Sequence, residues 1–325
     1  MSSATAIILA AGKSTRLKSN KPKALHEVCG RPMLEYVLQA CYEAGCHKVI
    51  IVVGHGKEEI MAQFEHDKRI VWVEQNEQHG TGHAAQMCVA ELTHHQGDVF
   101  ILCGDGPLIR AQVLQALYLA HHAEKAAATM GTAMLDNPTG YGRVIRDPQD
   151  DFVQIMEEAD ASPEQRLIKE VFPSYYCIKS TELIHALSKL TNTNKKGEYY
   201  LTDIFAILKK EGKKVAAVQA VAPEDTLGVN TRAQLAEIDL IMQGRIQREL
   251  RDSGVTIVNS LNTYIESGVT IGHESVIEPF TFIGRDSAIG SHCVIGPFAR
   301  LTRNSVIPDK MTIIGNPATE AGVKL

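Results

Sequence analysis

From residue 271 an aliphatic side chain recurs at every sixth position: Ile271, Ile277, Ile283, Ile289, Ile295, Leu301, Ile307 and Ile313. The positions two before them are mostly small or β-branched (Val269, Ser275, Thr281, Ser287, Cys293, Ala299, Ser305), and glycine follows at 272, 284, 290 and 296. Eight hits on one register define a hexapeptide repeat, which builds a parallel β-helix with the aliphatic side chains stacked inside each coil. At three hexads per coil, residues 255–325 supply about three to four coils. Before them, apolar side chains at 235, 238, 241, 242, 246 and 250 predict one amphipathic helix ending at Gly254, so 231–254 reads as a connecting arm.

Residues 1–230 follow another rule. Thr5–Leu9, Lys48–Val53 (KVIIVV), 70–73 (IVWV) and the DVFILC run from Asp98 are short apolar strands of the kind buried on both faces. Helices are expected between them at 32–44, with Pro32 in the first turn and Gly45 at the end, at 57–65 and at about 82–91. Strand and helix in alternation imply an α/β, Rossmann-like, doubly wound and mostly parallel sheet, whose ligands sit beyond the carboxyl ends of the strands. The net charge of −5 offers no electrostatic case for nucleic acid or an anionic membrane. Seven cysteines without a C-x-x-C pair argue for reduced thiols in a cytoplasm and against a zinc site. The N-terminus has no basic n-region, and no apolar run approaches a membrane span. A soluble, cytoplasmic protein is expected.

Three strand ends carry candidate chemistry. The first strand runs into Ala10-Ala11-Gly12, small enough for a flat ring or phosphates to lie on the backbone, and Lys13, Arg16 and Lys23 follow within a loop length. Backbone N–H groups and cations in that order suit phosphate, although neither the Walker nor the G-x-G-x-x-G spacing is present. The second is Gln75-Asn76-Glu77-Gln78-His79-Gly80-Thr81-Gly82-His83-Ala84, where carboxamides and amides could pair with a pyrimidine edge, or which is an ordinary glycine-rich helix entry. The third is Gly104-Asp105-Gly106-Pro107-Leu108. A carboxylate at the end of a buried strand either holds a hard cation such as Mg²⁺ shared with phosphate oxygens, or caps the next helix.

LAAGKSTRL followed by Lys21-Pro22-Lys23 resembles the signature of the sugar-nucleotide pyrophosphorylases, with Ser14 where the second glycine is usual. Within them the chain is most similar to the bacterial bifunctional N-acetylglucosamine-1-phosphate uridyltransferase and glucosamine-1-phosphate acetyltransferase family. The resemblance implies a nucleotide-diphospho-sugar transferase fold followed by a left-handed β-helix, and joining of UTP to a sugar 1-phosphate. It implies Arg16 and Lys23 as catalytic cations, and Ala11, Gly12, Gln75, Gln78, Gly80 and Thr81 as nucleotide contacts. Asp105 and Asn230, the latter in Gly228-Val229-Asn230, would hold Mg²⁺. Gly142 of P-T-G-Y-G-R, Glu157, and Tyr200 and Thr202 of G-E-Y-Y-L-T-D would contact the sugar. Read alone, Glu157 is equally part of a solvated acidic patch, and Thr202 equally a helix cap.

Two departures stand out. Phe172 occupies the position of a sugar-binding asparagine in the relatives' E-x-N-T-G, and Cys103 a position often held by tyrosine. A hydrogen-bond partner lost there is worth about 1–3 kcal/mol, enough to change which sugar is preferred. The relatives' later coils, with their catalytic histidine and a lysine–tyrosine–asparagine set, have no counterpart, and Gly315-Asn316-Pro317-Ala318 resembles the terminal cap of other hexapeptide acyltransferases. Acetyl transfer is therefore expected to be absent, and the β-helix to be the core of a homotrimer. Since every site residue precedes 231, uridylyl transfer is expected to survive deletion of 255–325. The competing readings are an enzyme that also acetylates glucosamine 1-phosphate, and a non-catalytic UDP-sugar sensor.

Overall fold

The computed structural model describes residues 4–13 and 15–315. Ser14 and the Asn316-Pro317-Ala318 ending lie outside the described residues. The chain divides into two compact units: residues up to 25 with 33–231, and residues 26–32 with the chain from 232 onward.

The first unit is built on a nine-stranded sheet. Its strands are β1 (Thr5–Leu9), β2 (Lys48–Val53), β3 (Ile70–Glu74), β4 (Asp98–Cys103), β5 (Ala128–Met134), β6 (Gly142–Arg146), β7 (Phe152–Met156), β8 (Glu170–Lys179) and β9 (Val215–Val218). The order β9-β5-β8-β4-β1-β2-β3 reverses around β1, which lies between β2 and β4 with both neighbours parallel to it. β8 runs antiparallel between β4 and β5, and the β6–β7 hairpin hangs from β8. The central strands are buried almost throughout, as continuous apolar runs between two helical layers must be. One core lies on each face of the sheet. The register Leu9↔Val52 and Leu9↔Cys103 brings three strand ends level, so the loops after β1, β2 and β4 open on one edge.

In the second unit the six-residue period becomes three short parallel sheets, one per face of a β-helix. The buried apolar side chains from Ile265 through Ile313 fill its interior at 9% exposure or less. Each corner is turned by a residue in the left-handed region: Glu274, Phe280, Asp286, His292, Phe298, Asn304 and Lys310, with φ between 59° and 62°. The arm helix is Arg232–Asp252. Residues 26–32 differ from expectation. Pro32 does not open a helix; Glu27–Val28 and Arg31–Pro32 pair as a small hairpin, and the helix begins at Met33. Within this unit the hairpin is pinned by Cys29 N donating to Asp239 Oδ1 (2.7 Å), Ser267 N donating to Cys29 O (2.8 Å) and Arg303 paired with Glu27 (2.8 Å). Among the described residues no helix is long and apolar enough to cross a membrane.

Candidate active site

Backbone hydrogen bonds join the strand ends into one platform. Ala10 N donates to Val52 O (2.8 Å), Gly104 N to Leu9 O (3.0 Å) and Gln75 N to Val53 O (2.8 Å). Above it lies a cleft of about 270 Å³. Its lining includes Ala11, Gly12, Lys23, Gln75, Gln78, Gly80, Thr81 and Asp105, which were all expected, together with Cys103, Gly104 and Glu198. A Cβ on Gly12 would meet nothing within 4 Å, so its backbone face is open.

The 75–84 loop is held rigidly. Tyr199 N donates to His79 O and Gly82 N to Tyr199 O (both 2.8 Å), while Thr81 Oγ1 accepts from Leu201 N (3.2 Å). Gly80, at φ +108°, passes so close that a Cβ there would lie 2.6 Å from Tyr199 O. Gln75 is 3% exposed, and its Nε2 meets Gly80 O (3.2 Å) and His83 Nδ1 (3.0 Å), which fixes the carboxamide. Gln78 Nε2 donates to Gln75 O (3.2 Å). His83 was not singled out from sequence, since only the fold shows that it faces Gln75.

At the other end of the cleft, Lys23 forms an ion pair with Asp105. The same ammonium donates to Asn230 Oδ1 (2.9 Å), which also accepts from Arg16 Nη2 (2.8 Å). Val229 N donates to Asp105 O (3.0 Å), so Asn230 is delivered to the carboxylate by a backbone tether. The turn before it is secured by Tyr175 Oη donating to Asp225 O (2.6 Å) and by Arg110 on the Asp225 carboxylate (2.7 Å). The helix-cap alternative for Asp105 fails, because the next helix starts at Ala111 with Arg110 at its N-cap and no side-chain cap bond.

A second pocket, about 180 Å³, adjoins the first and shares Leu9, Thr81, Cys103 and Glu198 with it. Glu157, Tyr200 and Thr202 line it, with Ser174, Tyr176 and Lys196. Thr202 Oγ1 donates to Glu157 Oε1 (2.9 Å) and makes no side-chain cap bond to its helix. Glu157 is thus half-buried and bonded, not part of a solvated patch. Burial raises its pKa above the usual carboxylate range, against the lowering effect of the Thr202 bond. Tyr200 is 8% exposed and its buried hydroxyl makes no hydrogen bond; Asp160 approaches without reaching bonding geometry. Gly142 is not in the lining. A Cβ there would stand 2.8 Å from Ile155 and 3.8 Å from the Glu157 carboxylate, so it borders the pocket behind Glu157.

Phe172, at the position where the relatives carry a sugar-binding asparagine, is absent from the pocket lining. Strand β8 bulges between Val171 and Tyr175. Phe172, 3% exposed, turns into the core, edge-on to Tyr176 (4.7 Å between centroids) and Phe205 (5.6 Å). The same bulge puts Ser174 in the left-handed region (φ +66°) on the pocket wall. Cys103 does line both cavities, and burial pushes its thiol up to about 12, so it is a wall and not a nucleophile.

Comparison with known proteins gives two family matches: the MobA-like NTP transferase domain over residues 6–196, and the bacterial transferase hexapeptide (six repeats) over 262–303. The chain is 44% identical over 278 residues to "Bifunctional protein GlmU" of Geobacillus sp. (strain WCH70), covering 86% of this chain and 60% of that protein. It is 43% identical over 276 residues to the protein of that name from Pelotomaculum thermopropionicum, with 85% and 60% covered. The chain therefore spans about 60% of the length of these curated relatives. Among solved structures, a UDP-glucose pyrophosphorylase complexed with UDP-glucose superposes with a TM-score of 0.60 at 17% identity, covering 74% of this chain and 98% of that one. A putative glucose-1-phosphate thymidylyltransferase from Bacillus anthracis gives 0.61 at 17% identity, covering 73% and 94%. At that identity the likeness speaks for the fold alone, a mostly parallel α/β sheet; the β-helix that follows rests on the six-repeat hexapeptide match and its three parallel sheets.

Proposed function

Because the chain belongs to the MobA-like NTP transferase domain family, we propose that it is a magnesium-dependent uridylyltransferase. An oxygen of a sugar 1-phosphate, N-acetylglucosamine 1-phosphate first among candidates, attacks the α-phosphorus of UTP. The bond to the β-phosphate breaks, giving UDP-sugar and pyrophosphate. The observation that carries this reading is the junction of the two cavities: a cleft with a carboxamide loop at one end and converging cations at the other, opening onto a pocket lined by Glu157, Tyr200 and Thr202.

A sugar phosphate is mostly dianionic at neutral pH, so the nucleophile needs no general base. Rate then comes from positioning and charge neutralisation. Arg16 and Lys23 would neutralise the triphosphate, with Ala11 and Gly12 receiving it on open backbone. Gln75 and Gln78 would read the base, and the Gly80–Thr81 turn would hold that loop. Asp105 and Asn230 suit Mg²⁺: a carboxylate and a neutral oxygen already converge on one cation, the Lys23 ammonium, and this ion takes few protein ligands when phosphates supply the rest. Bound there, it would supply charge compensation to the phosphate oxygens.

The stacked, exposed Phe280 and Phe298 (5.3 Å between centroids) on the β-helix support a homotrimer in which another copy covers them. Seven free cysteines support a cytoplasmic setting. The relatives are called bifunctional, and the sequence resemblance to the uridyltransferase and acetyltransferase family makes acetylation of glucosamine 1-phosphate the second reading, decided by thiol release from acetyl-CoA. For the first, pyrophosphate release is measured with UTP, CTP, dTTP and ATP against a panel of sugar 1-phosphates. Turnover restricted to UTP is expected. UDP-sugar binding without pyrophosphate release would make the protein a sensor instead.

A further inference from the structure

The Asp105–Asn230 pair does not wait with open oxygens. Its shared volume is held by the Lys23 ammonium, paired with Asp105 and donating to Asn230 Oδ1 at 2.9 Å. Arg16 donates to the same Asn230 oxygen at 2.8 Å. A carboxamide oxygen has two lone-pair sites, and two cations take both. A divalent ion seeking these oxygens would have to displace at least Lys23, while sitting within a few ångströms of an ammonium and a guanidinium in a partly buried place. Lys23 is 20% exposed and Asp105 26%, so solvent only partly screens that repulsion.

We propose that Lys23 is the resident counter-cation of the Asp105–Asn230 pair, and that a divalent ion gains the pair only after phosphate oxygens have drawn the lysine away. This rests on the reading of Asp105 and Asn230 as the metal-holding residues. One side chain then has two stations. Without nucleotide it neutralises Asp105, whose carboxylate would otherwise stand at the end of a buried strand without a counter-charge. With nucleotide it turns to the triphosphate, and the oxygens it leaves become ligands. Loading is thereby ordered: the metal enters with the nucleotide, and metal alone is refused. The backbone bond from Val229 N to Asp105 O holds the two ligand-bearing segments together in either state, so the switch needs only a lysine rotamer.

The test uses Mn²⁺ as probe on the full chain without nucleotide, with free ion counted by electron paramagnetic resonance. The parent should bind weakly. Lys23→Met and Lys23→Gln, which remove the ammonium and keep most of the side chain, should each bind about tenfold more tightly, because a charge-assisted competitor is gone. Adding Asp105→Asn to either variant should cancel the gain. In the parent, Mn²⁺ without nucleotide should leave the acetic anhydride labelling rate of Lys23 unchanged, read by mass spectrometry, because the ammonium keeps its place on Asp105 and Asn230. The proposal is overturned if folded Lys23→Met binds Mn²⁺ no better than the parent, if the gain survives Asp105→Asn, or if Mn²⁺ alone raises Lys23 labelling several-fold. Failure of every form to bind Mn²⁺, even with UTP present, would overturn the metal-pair reading as well. Pyrophosphate release from the parent is scored separately.

Discussion

Restoring the relatives' asparagine should not restore a sugar contact. In Phe172→Asn the ring lost is 3% exposed and packs edge-on against Tyr176 and Phe205, whose own rings stack at 5.3 Å. Truncating a buried phenylalanine costs about 3–5 kcal/mol. An amide left among aromatic rings without partners adds about 1–3 kcal/mol, partly offset by the volume asparagine retains, for a net loss of about 4–6 kcal/mol. Urea unfolding followed by circular dichroism reads the stability, and pyrophosphate release reads the KM for N-acetylglucosamine 1-phosphate. Stability should collapse with no gain in sugar affinity. A variant as stable as the parent, with a sharply lower KM, would mean that position 172 reaches the sugar and that the bulge reasoning is wrong.

Other expectations concern the smaller pocket and residues beside it. Burial, with the Glu157 and Asp160 carboxylates beside it, pushes the Asp203 pKa up to about 6, from an ordinary 3.8. The unfolded chain loses that proton first, so stability falls as pH rises between these values and levels off above. Asp203→Asn should melt like the parent near pH 4 and above it beyond pH 6, by at most about 3 kcal/mol; parallel curves would refute this. Ser174→Gly should raise the melting temperature, since φ +66° costs an L-residue about 1–2 kcal/mol, while raising the sugar KM by removing a pocket hydroxyl. No change in either would leave the left-handed serine without a role. Thr202→Val removes the bond that lowers the Glu157 pKa, so the acid limb of the pH–rate profile should move to higher pH; an unmoved limb would detach Glu157 from substrate binding.

What the sequence disclosed was what repeats or lies close along the chain. The period of six predicts the Ile271–Ile313 stack because one side chain per hexad must face inward. The β1 turn and the 75–84 loop are legible because backbone geometry and chemistry occupy one short run. Asp105, Lys23 and Asn230 were named from resemblance, yet their meeting depends on the Val229 tether, which no local pattern signals. Phe172 was misplaced because a bulge of strand β8 reverses which side chains face the pocket, and a bulge leaves no mark in hydrophobic periodicity. The 26–32 hairpin was invisible for a related reason. Its strands are two residues long, and its partners Asp239, Arg285 and Arg303 are more than two hundred positions away.

That hairpin changes what removal of the β-helix should do. All the residues proposed for catalysis precede 231, which by itself suggests that deleting 255–325 would spare transfer. But residues 26–32 belong to the second unit, three positions after Lys23, and Arg232 enters the same unit two positions after Asn230. Without the β-helix the hairpin loses Ser267 N on Cys29 O and Arg303 on Glu27, and the chain carrying Lys23 is no longer fixed at its far end. The deletion should therefore lower kcat as well as dissolve any oligomer. Gly30→Ala separates the two effects. Gly30 has φ +77°, and a Cβ there would lie 2.3–2.6 Å from the Glu266 carboxyl group, which holds Arg303 (2.9 Å) and accepts from Arg285 N (2.8 Å). The left-handed backbone costs alanine about 1–2 kcal/mol, and displacing a charged hydrogen-bonded group adds about 1.5–3 kcal/mol. A chain that keeps its light-scattering mass but loses kcat would show that the hairpin positions Lys23. Full kcat in both Gly30→Ala and the deletion would show that the first unit orders its lysine unaided.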